Sequence, residues 1–467
     1  MSETMRTEQD SIGSLQLPAD ALYGVHTARA MQNFSVTGVS IAHFPELINA
    51  LATVKMAAAQ ANAELGVLDP ALAQVIVDVC TELRNGLHHQ HFVVDVIQGG
   101  AGTSTNMNAN EVIANLGLLR LGFSPGQYGH LHPNDHVNLS QSTNDVYPTA
   151  IRLAILSQIA PLQAELWALQ SAFDERAAAF HDVVKVGRTQ LQDAVPMSLG
   201  MEFAGFAVTV GEDIERLSQL GDLLKEVNLG GTAIGTGVNT PKGYGTIVIA
   251  KLSGAFGQKL IRASHLIEAS SDLGAFVTFS GVLKRISVKL SKICNDLRLL
   301  SSGPRAGLGE IRLPAVQAGS SIMPGKVNPV IPEMVNQVAY QVIGNDMTVT
   351  MAAEAGQLQL NAMEPIAAYN ILQSMRLLGR AVNILTERCV TGIEANVELC
   401  RRQLDGSLVL ATALAPYIGY ERSSAIAKLA ERNGLSILEA ARQAGITDED
   451  ALSAIADPVR MIQGESS

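Results

Sequence analysis

The sequence predicts an all-α fold organised around long central helices, and composition and periodicity both point to it. Apolar residues make up 47% of the 467 residues and aromatic residues only 4%, so aliphatic side chains must fill the core. A composition rich in Ala and Leu favours packed helices over sheets. At this length we expect two or three domains, or one very long central element with smaller ends.

The strongest periodic pattern lies near the middle of the chain. Apolar residues there alternate spacings of three and four, which predicts one long helix over about residues 270–300. At 1.5 Å per residue such a helix would be about 45 Å long, so we expect it to pack in a bundle shared between subunits. The series comprises Phe276, Phe279, Leu283, Ile286, Leu290, Ile293, Leu297 and Leu300.

Further helices and loops follow from the same criteria. A second series runs from Ile155 to Phe173, and a third, less regular one runs from Phe203 to Val227. A stretch rich in Ala, Val and Met, from Pro329 to about Leu360, also predicts a helix. Polar or glycine-rich composition predicts loops at residues 98–110, 132–145, 228–245 and 318–328.

Charge and cysteine content exclude several classes of protein. The formal net charge of −11 argues against a nucleic-acid-binding surface, which needs clustered Lys and Arg. The four cysteines are widely spaced and are expected to be reduced core residues. No run of about 18 apolar residues predicts a membrane span. We therefore expect a cytoplasmic protein that binds neither nucleic acid nor membrane.

Three sequence patterns that often mark a functional site are not fulfilled in this chain. Residues 319–326 superficially suggest a phosphate-binding loop, but Val327 stands where Ser or Thr should coordinate magnesium. No Gly-x-Ser-x-Gly segment supports a triad hydrolase. His130, His132 and His136 lie close together, but no thiolate or helical histidine pair accompanies them, so we expect no metal site there.

Four separated segments carry the functional signal. They are Gly102-Thr103-Ser104-Thr105-Asn106-Met107-Asn108, Gln141-Ser142-Thr143-Asn144-Asp145, Gly187-Arg188-Thr189-Gln190 and Gly319-Ser320-Ser321-Ile322-Met323-Pro324-Gly325-Lys326-Val327-Asn328-Pro329. Together, and in this order, they resemble the active-site segments of the aspartase/fumarase superfamily. The resemblance extends over about residues 17–456.

This resemblance implies an architecture. Members of the superfamily have three helical domains, and the middle domains of four subunits form a central helical bundle. We accordingly expect a homotetramer with an N-terminal domain at residues 1–141, a bundle domain at 142–397 and a small C-terminal domain at 398–467. No cofactor is expected, with activation by a divalent cation left open.

The resemblance also implies a reaction, the reversible conversion of L-aspartate into fumarate and ammonium by a carbon–nitrogen lyase. Residues 352–361 look more like the aspartase branch than like class II fumarases. Fumarases carry a His where this chain has Gln190, and an ammonium group needs less acid assistance to leave than hydroxide does. A class II fumarase, a lyase of N-substituted aspartates and a non-catalytic relative stay as alternatives, the last disfavoured by Ser320, Lys326 and Asn328.

The resemblance assigns roles to ten residues. Ser320 would be the general base that removes the proton from carbon 3, held as an alkoxide by loop N–H groups and perhaps a cation such as Lys326. The resulting aci-carboxylate dianion needs focused hydrogen-bond donors. By the same resemblance the β-carboxylate would be held by Thr103, Ser142, Thr143 and Ser321, the α-carboxylate by Lys326 and Asn328, and the amino group by Asn144, Thr189 and Gln190.

Overall fold

Helices dominate the fold, as the sequence predicts. The computed structural model describes residues 4–457 and Ile462. No helix within them combines the length and the apolar character that crossing a bilayer requires. The helices are α1 (Val25–Asn33), α2 (Pro45–Glu64), α3 (Pro70–Arg84), α4 (Thr103–Arg120), α5 (Thr143–Ala179), α6 (Leu199–Gly221), α7 (Tyr244–Phe256), α8 (Leu266–Ala269), α9 (Gly274–Leu300), α10 (Val330–Glu354), α11 (Glu364–Arg388), α12 (Val397–Asp405), α13 (Ala415–Ile418), α14 (Tyr420–Asn433), α15 (Ile437–Gln443) and α16 (Glu449–Ala456).

The strands of the described residues are short and pair only in twos. Antiparallel pairs are formed by β1 (Met5–Asp10) with β2 (Gly13–Pro18), by β3 (Val184–Thr189) with β4 (Gln192–Ser198), and by β7 (Ile311–Arg312) with β8 (Glu394–Ala395). A parallel pair joins β5 (Glu226–Val227) to β6 (Ile261–Arg262).

The chain divides into two compact units, each made of three segments. The first unit comprises Met1–Gln163, Glu215–Arg285 and Tyr340–Leu378, and the second comprises Ala164–Ile214, Ile286–Ala339 and Gly379–Ser467. In the first unit the largely buried helix α2 packs against α3 and α7. In the second unit Val184 and Val186 of β3 join the apolar core of the C-terminal helices, which includes Leu404, Leu414 and Ile426. The expected three-domain division stays a prediction.

The predicted apolar series are the buried faces of long helices. Every residue of the central series, from Phe276 to Leu300, is at most 5% exposed, and the helix that carries them is α9. The second series, from Ile155 to Phe173, is likewise buried along α5. The all-α prediction is therefore confirmed, because a stripe of apolar residues with helical period specifies which face turns inward.

Two boundary predictions are wrong in part. The helix predicted to continue to Leu360 ends at Glu354, where Asn361 Nδ2 donates to the carbonyl oxygens of Ala352 and Ala353 at 2.9 and 3.3 Å. This side chain satisfies carbonyl groups that the end of a helix leaves unpaired. The third apolar series also outlasts its helix, because α6 ends at Gly221 and a 3₁₀ turn, Asp222–Lys225, follows.

The loop predicted at residues 98–110 is wrong in its second half, where α4 begins at Thr103. Polar composition suggested a solvated loop, yet Asn106, Asn108 and Asn110 are at most 1% exposed. Their amide groups donate to acceptors elsewhere in the first unit, for example Asn108 to the His91 carbonyl oxygen at 3.0 Å. Buried polar side chains are tolerated where such partners exist, so α4 is a core helix with polar faces.

Helix α5 lacks one backbone hydrogen bond near its start, and a side chain from elsewhere replaces it. Pro148 lies inside its second turn and has no N–H to offer the carbonyl oxygen of Asn144. The side chain of Asn228 supplies the missing donor, with its Nδ2 3.0 Å from that oxygen. A residue of the glycine-rich loop therefore completes the helix turn in which Thr143 and Asn144 lie.

Candidate active site

The loop at residues 318–328 closes on itself at its neck. Gly319 N donates to the Lys326 carbonyl oxygen at 2.8 Å, and Asn328 Nδ2 donates to the Gly319 carbonyl oxygen at 2.7 Å. A β-carbon at position 319 would lie 2.3 Å from the Lys326 oxygen, so only glycine fits there. The neck thus presents the residues between 319 and 326 as a single exposed turn.

Ser320 lies in that turn, and two backbone N–H groups donate to its side-chain oxygen. Its Oγ accepts hydrogen bonds from the backbone N–H groups of Ile322 at 3.1 Å and Met323 at 2.9 Å. The same contacts occur in ordinary serine turns, but here they also meet the requirement for a serine base, because N–H donors stabilise the alkoxide over the alcohol. The Lys326 side chain is exposed and, within the described residues, makes no hydrogen bond or ion pair with Ser320.

The other predicted residues of this loop face outward or hold the neck. Ser321 and Lys326 are exposed. Asn328 uses one Nδ2 hydrogen on Gly319, which leaves a second hydrogen and its Oδ1 for another partner. The loop that contains Ser320 therefore also offers a hydroxyl, an ammonium and an amide, groups that can bind a carboxylate.

Thr189 and Gln190 lie at the tip of the β3–β4 hairpin. Thr189 pairs with Gln192, so the connection consists of Gln190 and Leu191, whose φ angles are +53° and +63°. Two consecutive positive φ values define the type I′ geometry that suits tight hairpins but normally requires Asn or Gly. The hairpin exposes both Thr189 and Gln190, and its turn is held in a strained conformation.

A buried ion cluster holds the β3 strand that carries this tip. Lys185 Nζ lies 2.6 Å from Glu202 Oε2 and 2.7 Å from Glu310 Oε2. Arg188 contacts the other carboxylate oxygen of Glu310. Because charge pairs excluded from water tolerate little displacement, the cluster fixes β3 and with it the position of Thr189.

Thr103 begins α4, immediately after Gly102, whose φ is +87°. A β-carbon on Gly102 would lie 2.3 Å from the Tyr147 ring, so this glycine allows the ring to pack beneath the helix start. Thr103 is exposed, and its hydroxyl donates to the Gly100 carbonyl oxygen at 2.6 Å. To donate to a carboxylate, as predicted for this residue, the Thr103 hydroxyl must leave Gly100.

Ser142 and Thr143 stand at the start of α5 with their hydroxyl oxygens used as acceptors. Ser142 Oγ accepts from Asn144 N at 3.3 Å, and Thr143 Oγ1 accepts from Asn106 Nδ2 at 3.0 Å. A hydroxyl that accepts in this way keeps its own hydrogen for another partner. Together with the N–H groups of a helix start, the two hydroxyls can bind an anionic carboxylate. Asn144 Nδ2 instead donates to the Ala233 carbonyl oxygen at 2.7 Å.

The buried carboxylate of Asp145 connects the start of α5 to the glycine-rich loop. Its carboxylate accepts from the N–H groups of Ser142, Gly230 and Thr232 at 2.9, 2.9 and 3.0 Å. Burial raises the pKa of Asp145 to about 6, although these hydrogen bonds and Lys55 oppose the rise. Asp145 ends the Gln141–Asp145 motif, but no role for it follows from the sequence alone.

Lys55 is the residue that sequence reasoning missed. It lies within α2 at 0% exposure, and its Nζ donates to Asn138 Oδ1 at 2.8 Å and Gln141 Oε1 at 3.0 Å. Burial lowers the pKa of Lys55 to about 7, while nearby Asp145 raises it in part. The available signal was a single lysine in the Ala-rich middle of α2.

The histidines considered for a metal site have other partners. His132 Nδ1 accepts from Asn134 N and Asp135 N, both at 3.1 Å. His136 Nδ1 accepts from His132 N at 2.8 Å, and His130 stacks on Phe123. No group of three or more potential metal-binding side chains occurs within residues 4–457.

The ten predicted residues thus fall into local groups. Thr103, Ser142, Thr143 and Asn144 belong to the first unit, where the last three are consecutive. The second unit contains the Ser320 loop and, at a separate hairpin tip, Thr189 and Gln190. Each group is well formed locally and has unused polar atoms facing outward.

Comparisons with known proteins identify the family. A family model described as "Lyase" matches residues 13–344, and one described as "Fumarase C C-terminus" matches residues 410–463. An aspartate ammonia-lyase of Pseudomonas aeruginosa is 58% identical, over 98% of this chain and 97% of its own. An aspartate ammonia-lyase of Escherichia coli is 50% identical, over 97% of this chain and 95% of its own.

Solved structures agree with this assignment. A Brucella melitensis protein described as fumarate lyase:delta crystallin is 59% identical and superposes with a TM-score of 0.96, over 98% of this chain and 99% of its own. A class II fumarase from Schistosoma mansoni is 34% identical, with a TM-score of 0.93 over 99% of this chain and 100% of its own. With the fold, the four segments and these relatives in agreement, the chain belongs to the aspartase/fumarase superfamily of lyases.

Proposed function

We propose that this protein is an aspartate ammonia-lyase, which converts L-aspartate reversibly into fumarate and ammonium. The observation that carries the chemistry is the pair of N–H donors on Ser320 Oγ, which suits a serine that must act as a base. The choice of substrate is supported by relatives of that name at 50–58% identity over nearly the whole chain, against 34% for the class II fumarase. Gln190 agrees with this choice, because a departing ammonia needs no acid in that place.

The first chemical step is removal of a proton from carbon 3. The Ser320 alkoxide takes this proton and becomes a hydroxyl, and the electron pair of the C–H bond moves into the β-carboxylate to form an aci-carboxylate dianion. Ser142 and Thr143 donate their free hydroxyl hydrogens to that group, joined by Ser321 and by Thr103 once it leaves Gly100. Donors aimed at a growing charge stabilise the transition state more than the bound substrate.

The second step breaks the bond between carbon 2 and nitrogen. The electron pair of the dianion forms the double bond of fumarate, and the C–N bonding pair leaves on nitrogen as neutral ammonia. Ammonia takes up a proton from water, and the proton on Ser320 Oγ returns to solvent, which restores the alkoxide. In our assignment Lys326 and Asn328 hold the α-carboxylate, while Asn144, Thr189 and Gln190 surround the amino group. No metal or organic cofactor takes part in these steps.

We further propose that the protein works as a homotetramer in the cytoplasm. Exposed apolar residues follow one face of α10 at spacings of three and four: Tyr340, Ile343, Met347 and Met351. A stripe of this kind on a long helix is the pattern by which helices of different subunits associate. Four buried free cysteines support a reducing compartment. Light scattering on the purified protein tests the assembly, and a monomer at micromolar concentration would contradict it.

The decisive experiment follows fumarate by its ultraviolet absorbance with L-aspartate, L-malate and an N-substituted L-aspartate as separate substrates. We expect fumarate from aspartate only, and a loss of about 10²–10⁴-fold in kcat for Ser320→Ala. Ser14→Ala, a substitution on the exposed face of β2, serves as the matched control and should retain activity. Fumarate from malate alone would assign the protein to the fumarases, and turnover of N-substituted aspartates only would assign it to that class of lyase.

A further inference from the structure

The strongest unexplained feature of the first unit is the cation buried behind the start of α5. Lys55 is wholly buried, and the acceptors of its Nζ are two neutral amide oxygens, those of Asn138 and Gln141. Burying a lysine is costly, and two amides recover only part of the lost hydration. None of the reaction steps above uses Lys55, so its burial needs a separate reason.

Asn138 connects this cation to the site. Its Oδ1 accepts from Lys55 Nζ at 2.8 Å and from the Nδ2 groups of Asn106 and Asn110, both at 3.2 Å. Protonated or neutral, Lys55 Nζ has hydrogens for both amide oxygens that it contacts, so it holds the amide of Asn138 with the oxygen toward Lys55. That oxygen in turn requires Asn106 and Asn110 to present their NH₂ groups.

Asn106 transmits this orientation to Thr143. One hydrogen of its NH₂ group points to Asn138, and the same nitrogen lies 3.0 Å from Thr143 Oγ1. Thr143 Oγ1 must therefore accept, and its own hydrogen is left to point away from Asn106. The Oδ1 atoms of Asn106 and Asn110 are buried without a protein partner in the described structure, because both amides direct their NH₂ groups to Asn138 Oδ1.

We propose that Lys55 is a positioning residue that sets the direction of the Thr143 hydroxyl through Asn138 and Asn106, so that this hydroxyl donates to the β-carboxylate of the substrate. The contacts begin at the Lys55 amine, which donates to Asn138. They continue through Asn106, which donates to both Asn138 and Thr143, and end at the Thr143 hydroxyl that meets the substrate. The inference rests on the proposed function, because it assigns Thr143 to the carboxylate that gains charge. Without Lys55, the side-chain amides of Asn138 and Asn106 can rotate by 180° and exchange their oxygen and nitrogen positions. The Thr143 hydroxyl can then donate to Asn106 Oδ1, which leaves only its oxygen lone pairs directed at the substrate.

A double-mutant cycle tests this chain of contacts. Lys55→Met keeps the volume and burial of the side chain but removes the cation, and Thr143→Val removes the hydroxyl that it directs. We expect each single variant to lower kcat for L-aspartate about 10²-fold with a smaller change in KM, the effect of losing one donor to a growing negative charge. The double variant should be no more than a fewfold slower than Thr143→Val, because Lys55 acts through Thr143. Losses that multiply to about 10⁴-fold would overturn the proposal.

Two further variants separate positioning from folding. Asn110→Leu removes another donor to Asn138 Oδ1 but leaves the contacts of Lys55 with Asn138, of Asn106 with Asn138 and of Asn106 with Thr143 in place, so it should lower stability and leave kcat within about threefold. Asn106→Leu breaks the connection without disturbing Lys55, and it replaces Lys55→Met in the cycle if that variant does not fold. A kcat loss in Asn110→Leu as large as that in Lys55→Met would reduce Lys55 to a structural role.

A binding measurement keeps this test independent of the proposed activity. The ligand is 3-nitropropionate, whose deprotonated nitronate form carries the extra negative charge of the aci-carboxylate, and its dissociation constant is measured by calorimetry for the wild type and the three variants of the cycle. A non-additive weakening supports the positioning role even if the wild type makes no fumarate from aspartate, an outcome that would refute only the proposed function. Additive weakening, with or without turnover, refutes the positioning role.

Discussion

Lys185 Nζ lies 2.7 Å from Glu310 Oε2, and the two side chains are only 3% and 0% exposed. Removing one partner of a buried ion pair leaves the other as an uncompensated charge, which costs about 3–5 kcal/mol. Glu310→Gln should therefore lower the free energy of unfolding by about 3 kcal/mol, measured by urea denaturation. Asp296→Asn breaks the exposed pair with Lys292 and should cost less than about 1 kcal/mol. Equal losses would show that burial does not set the strength of the Lys185 cluster.

The Gln190–Leu191 turn predicts a stabilising substitution. Leu191 is 69% exposed and has a φ of +63°, a conformation in which a leucine side chain is strained. Leu191→Asn should raise the free energy of unfolding by about 1 kcal/mol, because Asn tolerates this region and keeps the entropy of an ordinary residue. Thermal unfolding monitored by circular dichroism measures the gain. Lower stability in Leu191→Asn would mean that contacts of the leucine side chain outweigh the strain.

The neck of the Ser320 loop predicts a loss of activity without a loss of fold. A β-carbon at position 319 would lie 2.3 Å from the Lys326 carbonyl oxygen, so Gly319→Ala must open the neck and displace Ser320. We expect kcat to fall at least about 10²-fold, since a shift of about 1 Å in a reacting group has an effect of this size. Gly325→Ala is the matched control, because a β-carbon there meets open space and only its φ of +80° is strained. Similar kcat values for the two variants would show that the neck does not position Ser320.

The buried lysine predicts a pH dependence of stability. Its pKa is about 7 in the folded protein against the ordinary 10.5, so between these values the unfolded chain binds more protons at this site. Stability from this site therefore rises with pH from about 7 to about 10.5, by at most about 1.4 kcal/mol for each unit of pKa difference. The difference in unfolding free energy between wild type and Lys55→Met should grow in favour of the wild type over that window. A difference that stays constant would place the lysine in contact with solvent.

Periodicity predicted the helices better than composition predicted the loops. The residues from Phe276 to Leu300 specify α9 because burial of one face is a property of the helix itself. The start of α4 could not be found in this way, since Asn106 and Asn110 look like loop residues until Asn138 is seen to accept from both. Such partners lie about 30 residues away, beyond the reach of a local pattern.

The active-site residues likewise divide into those that a local sequence motif identifies and those that only the tertiary fold reveals. The motifs around Ser320 and Thr143 located segments that the structure gives suitable donor geometry, and the family and enzyme class that they implied are confirmed. Their individual roles stay predictions. Lys55 could not be found because a lysine in an apolar helix is indistinguishable, in sequence, from one that reaches solvent along its aliphatic stem. Its importance follows only from the acceptors that the tertiary fold places around it.

The bond from Asn228 Nδ2 to the Asn144 carbonyl oxygen joins residues 84 positions apart at the turn that Pro148 leaves incomplete. The start of α5 is therefore unable to reach its final shape as an isolated helix, whatever its intrinsic helical preference. The turn that carries Thr143 and Asn144 is completed only after the glycine-rich loop has docked. In the order of folding events this turn is therefore completed late, because a nascent chain must reach residue 228 before the replacement donor exists.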